Sequence, residues 1–242
     1  MKTIMIVGGT DSSGGAGLTR DALVARTFGF DVLPIVTAVT AQSNEKLFST
    51  QVMPADLVVR QIQTALTTTD PAAIKIGMLG NSGIAEAVAH EIRGRSCPLV
   101  VDPVLRSSSG GELMSGRFPR RLVSQARLIT PNLPESAALA GCALANTDAQ
   151  IATQAAWFLS QGAEAVLIKG GHATGETSAD HLFSGSERHV LATPRFETTL
   201  RGTGCALATA IACGLAEGYD LYPACLMAKK FIHGWFREAA AY

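Results

Sequence analysis

The chain has 242 residues, of which 47% are hydrophobic and 17% charged, the composition of a folded globular protein and not of a disordered one. Twenty basic residues balance twenty acidic ones, so no positive excess exists to meet a phosphate backbone, which argues against nucleic acid as the main partner. Five scattered cysteines, without a CxxC pair or a Cys/His ligand spacing, argue against a disulfide scaffold and a structural zinc site.

The first apolar run, residues 3–7, meets glycine too soon for a signal peptide and reads as a buried strand. Further Val- and Ile-rich runs at 32–39, 74–77, 99–102, 127–130 and 165–169 show little alternation, as expected of strands covered on both faces. Helical patterns fall between them at 18–28, 55–67, 83–92, 118–125, 135–140 and 150–160. This alternation predicts an α/β protein with a mainly parallel sheet and helices on both faces. A strand pair is expected at 180–184 and 188–193 around the turn 184–186, then two closing helices at 205–217 and 222–241. With no repeat, linker or low-complexity tract, one domain over 1–242 is expected. No segment is long and apolar enough to span a bilayer, so a soluble, cytoplasmic protein is expected.

In such sheets ligands lie beyond the carboxyl ends of the strands, and several polar or glycine-rich segments follow strands here. Gly8–Gly17 reads as a glycine loop directly after the first strand; it is neither a Walker A loop nor a clean GxGxxG, and a plain tight turn explains it equally well. Arg201-Gly202-Thr203-Gly204-Cys205 feeds an apolar helix, whose first N–H groups and positive dipole end can hold an anion. Such donors suit a phosphoryl group in transfer, and the same field is expected to lower the Cys205 thiol pKa so that it can accept a proton. The plain alternative has Thr203 capping a core helix and Cys205 packing. The other four cysteines, Cys97, Cys142, Cys213 and Cys225, read as small buried hydrophobes.

Asn132 and Glu135 have capping-box spacing, and Glu135 also places a carboxylate where a Mg²⁺–phosphate complex could use it. Asp102 closes a Val-rich strand and Lys169 another, the latter a point charge for phosphate or a snorkelling strand end. Gln42 can read ring nitrogens through its amide, or be an ordinary loop residue. His90, His181, His189 and His233 have no persuasive partners in sequence and read as surface or core.

Together GTDSSGGAG (9–17), TAQ (40–42), KIGML (75–79), VVDPV (100–104), TPNLPE (130–135), KGGH (169–172) and GTGC (202–205), in this order, resemble the hydroxymethylpyrimidine/phosphomethylpyrimidine kinase family of the ribokinase-like superfamily. GTGC is the most discriminating string, because ribokinase-like relatives usually carry Asp at its last position. The resemblance implies a three-layer α/β/α fold and ATP with Mg²⁺. It further implies phosphorylation of the hydroxymethyl group of 4-amino-5-hydroxymethyl-2-methylpyrimidine, then of its monophosphate, in thiamine biosynthesis, by a homodimer. It casts Cys205 as the base, with Gly202, Thr203 and Gly204 forming the anion hole. Lys169, Asn132 and Thr203 would meet nucleotide, and Asp102 and Glu135 would serve the metal. Gly9, Asp21, Gln42, Met78 and Val104 would line the pyrimidine pocket.

The chain departs from the family pattern in three places: Ser107–Gly110 replaces Ala-Lys-Ser-Gly, Arg201 replaces a His, and Leu18-Thr19-Arg20-Asp21 replaces Ile-Gln-Ala-Asp. Arg201 and Arg106 are candidates to restore the lost positive charge near the phosphates. Two other readings stay open: a pyridoxal or related hydroxymethyl-heterocycle kinase, and a ligand-binding homologue with reduced turnover. A dinucleotide oxidoreductase is disfavoured, because neither GxGxxG nor a framed ribose acid is present.

Overall fold

The structure, a computed structural model, describes residues 1–107, 110–171 and 175–240. Ser108 and Ser109 of the serine loop, His172, and the end of the closing helix at Ala241 lie outside the described residues. In chain order the elements are β1 (Thr3–Asp11), α1 (Gly17–Thr27), β2 (Asp31–Gln42), β3 (Leu47–Val52), α2 (Ala55–Leu66), β4 (Ala73–Ile76), β5 (Gly80–Asn81), α3 (Ser82–Glu91) and β6 (Leu99–Val101). They continue with β7 (Met114–Ser115), α4 (Arg120–Ser124), β8 (Leu128–Ile129), α5 (Leu133–Ala140), α6 (Asp148–Ser160), β9 (Ala165–Ile168), β10 (Thr177–Ser184), β11 (Glu187–Pro194), α7 (Thr203–Ala216) and α8 (Leu221–Ala239).

Among the described residues nine strands form one sheet in the order β11-β10-β9-β8-β6-β4-β1-β2-β3. The inner strands from β9 to β2 pair in parallel, and the edges β10–β11 and β3 are antiparallel. Successive strand residues point to opposite faces, and both faces are buried. Met5, Val7, Ile74, Ile76, Leu99, Val101, Val166 and Ile168 enter a core shared with α2 to α6. Ile4, Ile6, Ala73, Val100, Leu128, Ala165 and Leu167 enter a second core under α1, α7 and α8. Each fully buried Ile or Val contributes about 1.5–3 kcal/mol, so both layers hold the sheet. The same parity carries Lys75, Asp102 and Lys169 to the α7 side.

Three expectations change. The first strand does not end at Val7: β1 runs to Asp11, because β2 continues beside it to Gln42, with a register shift at Gly8/Gly9. The glycine loop is therefore only residues 12–16. The edge strand β3 was not expected, because Leu47–Val52 is mostly half-buried or exposed and its pattern is mixed. Finally, Cys213 and Cys225 are buried in the second core as expected, but Cys97 is half-buried and Cys142 exposed. No helix among the described residues is long and apolar enough to cross a membrane.

Candidate active site

A cleft of about 810 Å³ opens beyond the carboxyl ends of the inner strands, against the start of α7. Helix α7 is apolar apart from Thr203 and Thr209 and buried from Ala206 to Leu215, so it is pinned between the sheet, α1 and α8. Its N-terminus therefore points into the cleft by construction. The N-cap is Gly202, with φ +72°, not Thr203. A Cβ on Gly202 would run into the Gly15 carbonyl, so both conformation and space demand glycine. No side chain caps this helix and its first turn carries no acid. The opening N–H groups are thus left to face an anion.

Cys205 is the third residue of α7, half-buried, and lines the cleft. The opposite wall is close: a Cβ built on Gly204 would lie 3.3 Å from Lys169 Nζ and 3.9 Å from Asp102 Oδ2. Asp102 and Lys169 each follow a strand by one residue and stay tied to the ladder, Asp102 N–H donating to Ile76 O (2.8 Å) and Lys169 N–H to Pro131 O (2.9 Å). Lys169 Nζ donates to Asp102 Oδ1 at 2.6 Å, and Thr130 Oγ1 donates to the same oxygen at 3.2 Å. Burial alone lowers the Lys169 pKa, but the carboxylates of Asp102 and Glu135 outweigh it, so the group lies above its ordinary value and stays charged.

Glu135 starts α5 in a complete capping box with Asn132: Asn132 N–H donates to Glu135 Oε2 and Glu135 N–H to Asn132 Oδ1, each at 2.8 Å. The structural reading of that motif is therefore correct, and Glu135 lines the cleft as well. Burial pushes its carboxyl up to about 7; Lys169 opposes the shift and Asp102 adds to it.

Beneath Cys205 lies a second charge pair that the sequence reading missed. Lys75 Nζ donates to Asp21 Oδ2 at 2.7 Å, and Thr209, one helical turn beyond Cys205, donates to Asp21 Oδ1 at 2.8 Å. Lys75 and Asp21 are each 1% exposed. The signal was present: a lysine inside an otherwise apolar strand is as unexpected as one closing a strand. Asp21, expected in the substrate pocket, reaches the cleft floor with both oxygens already engaged. The thiol expectation is reversed. Burial pushes Cys205 up to about 11, while Lys75 and the amide of Gly17 pull it down without prevailing.

At one end of the cleft, Met78, Ala38 and Leu113 form a small apolar cluster with Val104 and Leu47 packed against it. Gly9 faces it so closely that a Cβ would lie 2.7 Å from Met78 Sδ. Gln42 lines the same end; its backbone exchanges hydrogen bonds with Ser12 Oγ at 2.8 and 2.9 Å. The structure thus gathers the twelve other expected site residues, Gly9, Asp21, Gln42, Met78, Asp102, Val104, Asn132, Glu135, Lys169, Gly202, Thr203 and Gly204, around Cys205 in one cleft.

The other end was not expected. Phe196 lies 5.1 Å from the His233 ring and stacks on Phe236 at 5.9 Å, giving an aromatic wall that includes one of the histidines read as surface or core. Nearby, Lys229 donates to Asp180 Oδ2 at 2.8 Å, and Asp180 Oδ1 accepts from the Gly170 N–H at 2.9 Å. Arg201 does not stand free over the anion loop, because it is paired with Asp11. Arg106 is exposed and lines the cleft, and its backbone forms an isolated antiparallel bridge with that of Glu112.

Residues 11–242 match the family model described as phosphomethylpyrimidine kinase. The chain is 36% identical over 232 residues to a hydroxymethylpyrimidine/phosphomethylpyrimidine kinase of Rhizobium meliloti, covering 94% of this chain and 87% of that one. It superposes on a crystal structure of phosphomethylpyrimidine kinase from Clostridium difficile with a TM-score of 0.82 at 29% identity, over 97% of this chain and 99% of that one. It also superposes on the ADP complex of Bacillus subtilis pyridoxal kinase with a TM-score of 0.86 at 28% identity, over 96% and 90%.

Proposed function

Because the chain belongs to the phosphomethylpyrimidine kinase family, we propose that it transfers the γ-phosphoryl group of ATP to the hydroxymethyl oxygen of 4-amino-5-hydroxymethyl-2-methylpyrimidine and then phosphorylates the monophosphate, as a step of thiamine biosynthesis. The observation that carries the reading is the side-chain-free N-terminus of α7, facing Lys169 and Asp102 across one cleft with Cys205 beside it. In this reading one kinase domain spans 1–242, and the alcohol occupies the end with Gly9, Gln42, Met78 and Val104. The nucleotide takes the aromatic end, with Lys169, Asn132 and Thr203 toward its phosphates. The transferring group lies between them, at the amides of Gly202, Thr203 and Gly204.

Phosphoryl transfer asks for position and charge compensation more than covalent help. The hydroxymethyl oxygen forms the new bond to phosphorus, the bond to ADP breaks, and the alcohol proton goes to Cys205. With its thiol pushed up to about 11, Cys205 rests protonated, and the accepting thiolate is a minor form that the Lys75 cation and the Gly17 amide favour. Amides aimed at the moving group are typically worth about 10²–10³ in rate per donor.

The donor set suits Mg²⁺, which favours one or two hard carboxylates alongside phosphate oxygens. Among the described residues, both hydrogen bonds to the Asp102 carboxylate fall on Oδ1, and Oδ2 is turned toward Gly204. Asp102 and Glu135 would hold the ion, which would neutralise phosphate charge. The absence of disulfides among five free cysteines supports the cytoplasm as the compartment. The family resemblance carries a homodimer as the expected assembly.

The likeness to pyridoxal kinase favours a second reading, a kinase for that hydroxymethyl heterocycle, with the same chemistry. Mass spectrometry after incubation with ATP, Mg²⁺ and either alcohol separates them. The pyrimidine is expected to give mono- and diphosphate. Pyridoxal phosphate alone would install the second reading, and no phosphorylated product from either would reduce the chain to a ligand-binding homologue.

A further inference from the structure

Arg201 sits immediately before the anion loop, and its guanidinium is turned away from it. Nη2 donates to Asp11 Oδ2 at 3.1 Å. Nη1 is shared among Ser13 Oγ (2.8 Å), Ser43 O (2.9 Å) and Asn44 Oδ1 (3.2 Å). The pair is well shielded, with Arg201 14% and Asp11 5% exposed. Asp11 is itself anchored, since Oδ1 accepts from both the N–H and the hydroxyl of Ser13, at 2.9 and 2.8 Å.

These contacts join three segments far apart in sequence, and each borders a different part of the site. Residues 12–16 lead into Gly17, whose amide reaches Cys205. Residues 43–46 form the turn between β2 and β3, directly after Gln42 and before Leu47 of the apolar cluster. Gly202 follows Arg201 and opens α7, packed against Gly15 so tightly that a Cβ would strike the Gly15 carbonyl.

We propose that Arg201 is a positioning residue: it clamps the glycine segment and the 43–46 turn to the start of α7, so that seating the alcohol and ordering the amides at Gly202–Cys205 are one event. The idea deepens the kinase reading and rests on it for the identity of the alcohol. Neutralised by Asp11 and bound to four oxygens, the guanidinium acts on transfer through geometry and not as a phosphate ligand. A planar fork that spans separate acceptors is specific to arginine; a lysine ammonium is a point charge that cannot reach all of them together.

The test compares wild type with Arg201→Ala, Arg201→Lys and Asp11→Asn in steady-state kinetics and in hydrogen exchange without substrates. In Arg201→Ala, the KM for the alcohol should rise about tenfold while the KM for ATP stays within about twofold, the split expected when one substrate's seat loosens. Arg201→Lys should recover only part of that loss. Amide exchange should accelerate at both 12–17 and 43–46. Equal rises in the two KM values, or unchanged exchange at 43–46 in both Arg201→Ala and Asp11→Asn, would overturn the clamp. Wild-type protein inactive on either heterocycle would defeat the substrate reading alone, and the exchange data would still decide the clamp.

Discussion

The two faces of the central sheet are built from the same strands, yet they bury different chemistry. Under α2 to α6 the layer is almost wholly apolar, from Phe158 and Ile84 to Val101 and Ile168. Under α1, α7 and α8 the apolar layer is interrupted by shielded ion pairs, among them Lys75–Asp21, Lys169–Asp102 and Lys229–Asp180. Taking charges out of water costs several kcal/mol per ion, so packing alone gives no reason to prefer that second face. All three pairs lie along the cleft that the N-terminus of α7 faces. One face stabilises the sheet, while the other sacrifices part of that stability to hold charge where a phosphoryl group would pass.

The largest effect should come from the reacting centre. Cys205→Ala should lower kcat by about 10²–10⁴, the usual range for loss of a general base, with ATP binding retained in calorimetry. The wild-type rate should also climb as pH rises above neutral, because the thiol has been pushed up to about 11, and the variant should lose that climb. Near-normal kcat in Cys205→Ala would leave the thiol a packing group and make the amides of α7 the main catalytic feature.

Next come the two buried layers themselves. Lys75→Met leaves Asp21 as a buried carboxylate without its cation, which should cost about 3–5 kcal/mol of stability in denaturant melts. Phe158→Ala on the opposite face should cost a similar 3–5 kcal/mol through transfer and cavity formation. Kinetics on the folded fraction separate the faces. Phe158→Ala should leave kcat unchanged, whereas Lys75→Met should lower it and shift the alkaline rise. Equal kinetic damage from both would erase the functional distinction between the layers.

How far the sequence revealed this division follows from the physics of each element. Short unalternating runs such as 74–77 and 165–169 are legible because strands covered on both faces have no polar side to show. Glycine segments are legible as well, since Gly202 needs both a positive φ and room against Gly15. Asymmetric or solvent-facing features are harder. β3 has no clean period, and the aromatic wall of Phe196, His233 and Phe236 comes from elements that only the tertiary fold brings together. Lys75 was hidden by its own motif string, although its position among Ala73, Ile74 and Ile76 was a signal. Arg201 was legible as a departure from the family pattern, but the direction of its guanidinium depends on a turn more than 150 residues away. Helix-end reasoning ignored burial at Cys205, and burial reversed the direction of its pKa shift.

A smaller effect concerns Glu135, where the metal-binding expectation and the capping box share one carboxylate. Its folded pKa, about 7, lies above the ordinary value of 4.5. The folded state therefore holds the proton more tightly than the unfolded state. That contribution to stability is fully present below the ordinary value and is lost as pH rises through about 7. Glu135→Gln should remove this slope from denaturant melts between about pH 5 and 7, while raising the Mg²⁺ concentration needed for turnover by up to about tenfold. An unchanged Mg²⁺ requirement would confine Glu135 to helix capping and leave Asp102 alone with the ion.

The smallest effect tests whether environment, and not contact distance, separates the two kinds of charge pair. Arg60 Nη2 lies 2.8 Å from Asp56 Oδ2 on α2, nearly the same separation as the 2.7 Å of Lys75–Asp21. The first pair is 66% and 68% exposed, the second 1% at both ends. In water the Coulomb gain is screened and most of it is lost to side-chain ordering, so an exposed i,i+4 pair is worth about 0.3–0.5 kcal/mol. Asp56→Ala should therefore move the denaturation midpoint only slightly, and added salt should shrink even that difference. Removing Lys75 should cost roughly ten times as much, and salt should barely change it, because ions cannot reach a pair sealed under α7. If both substitutions gave similar costs with similar salt dependence, the cleft floor would be open to solvent, and Lys75 could not supply the local positive field that favours the Cys205 thiolate.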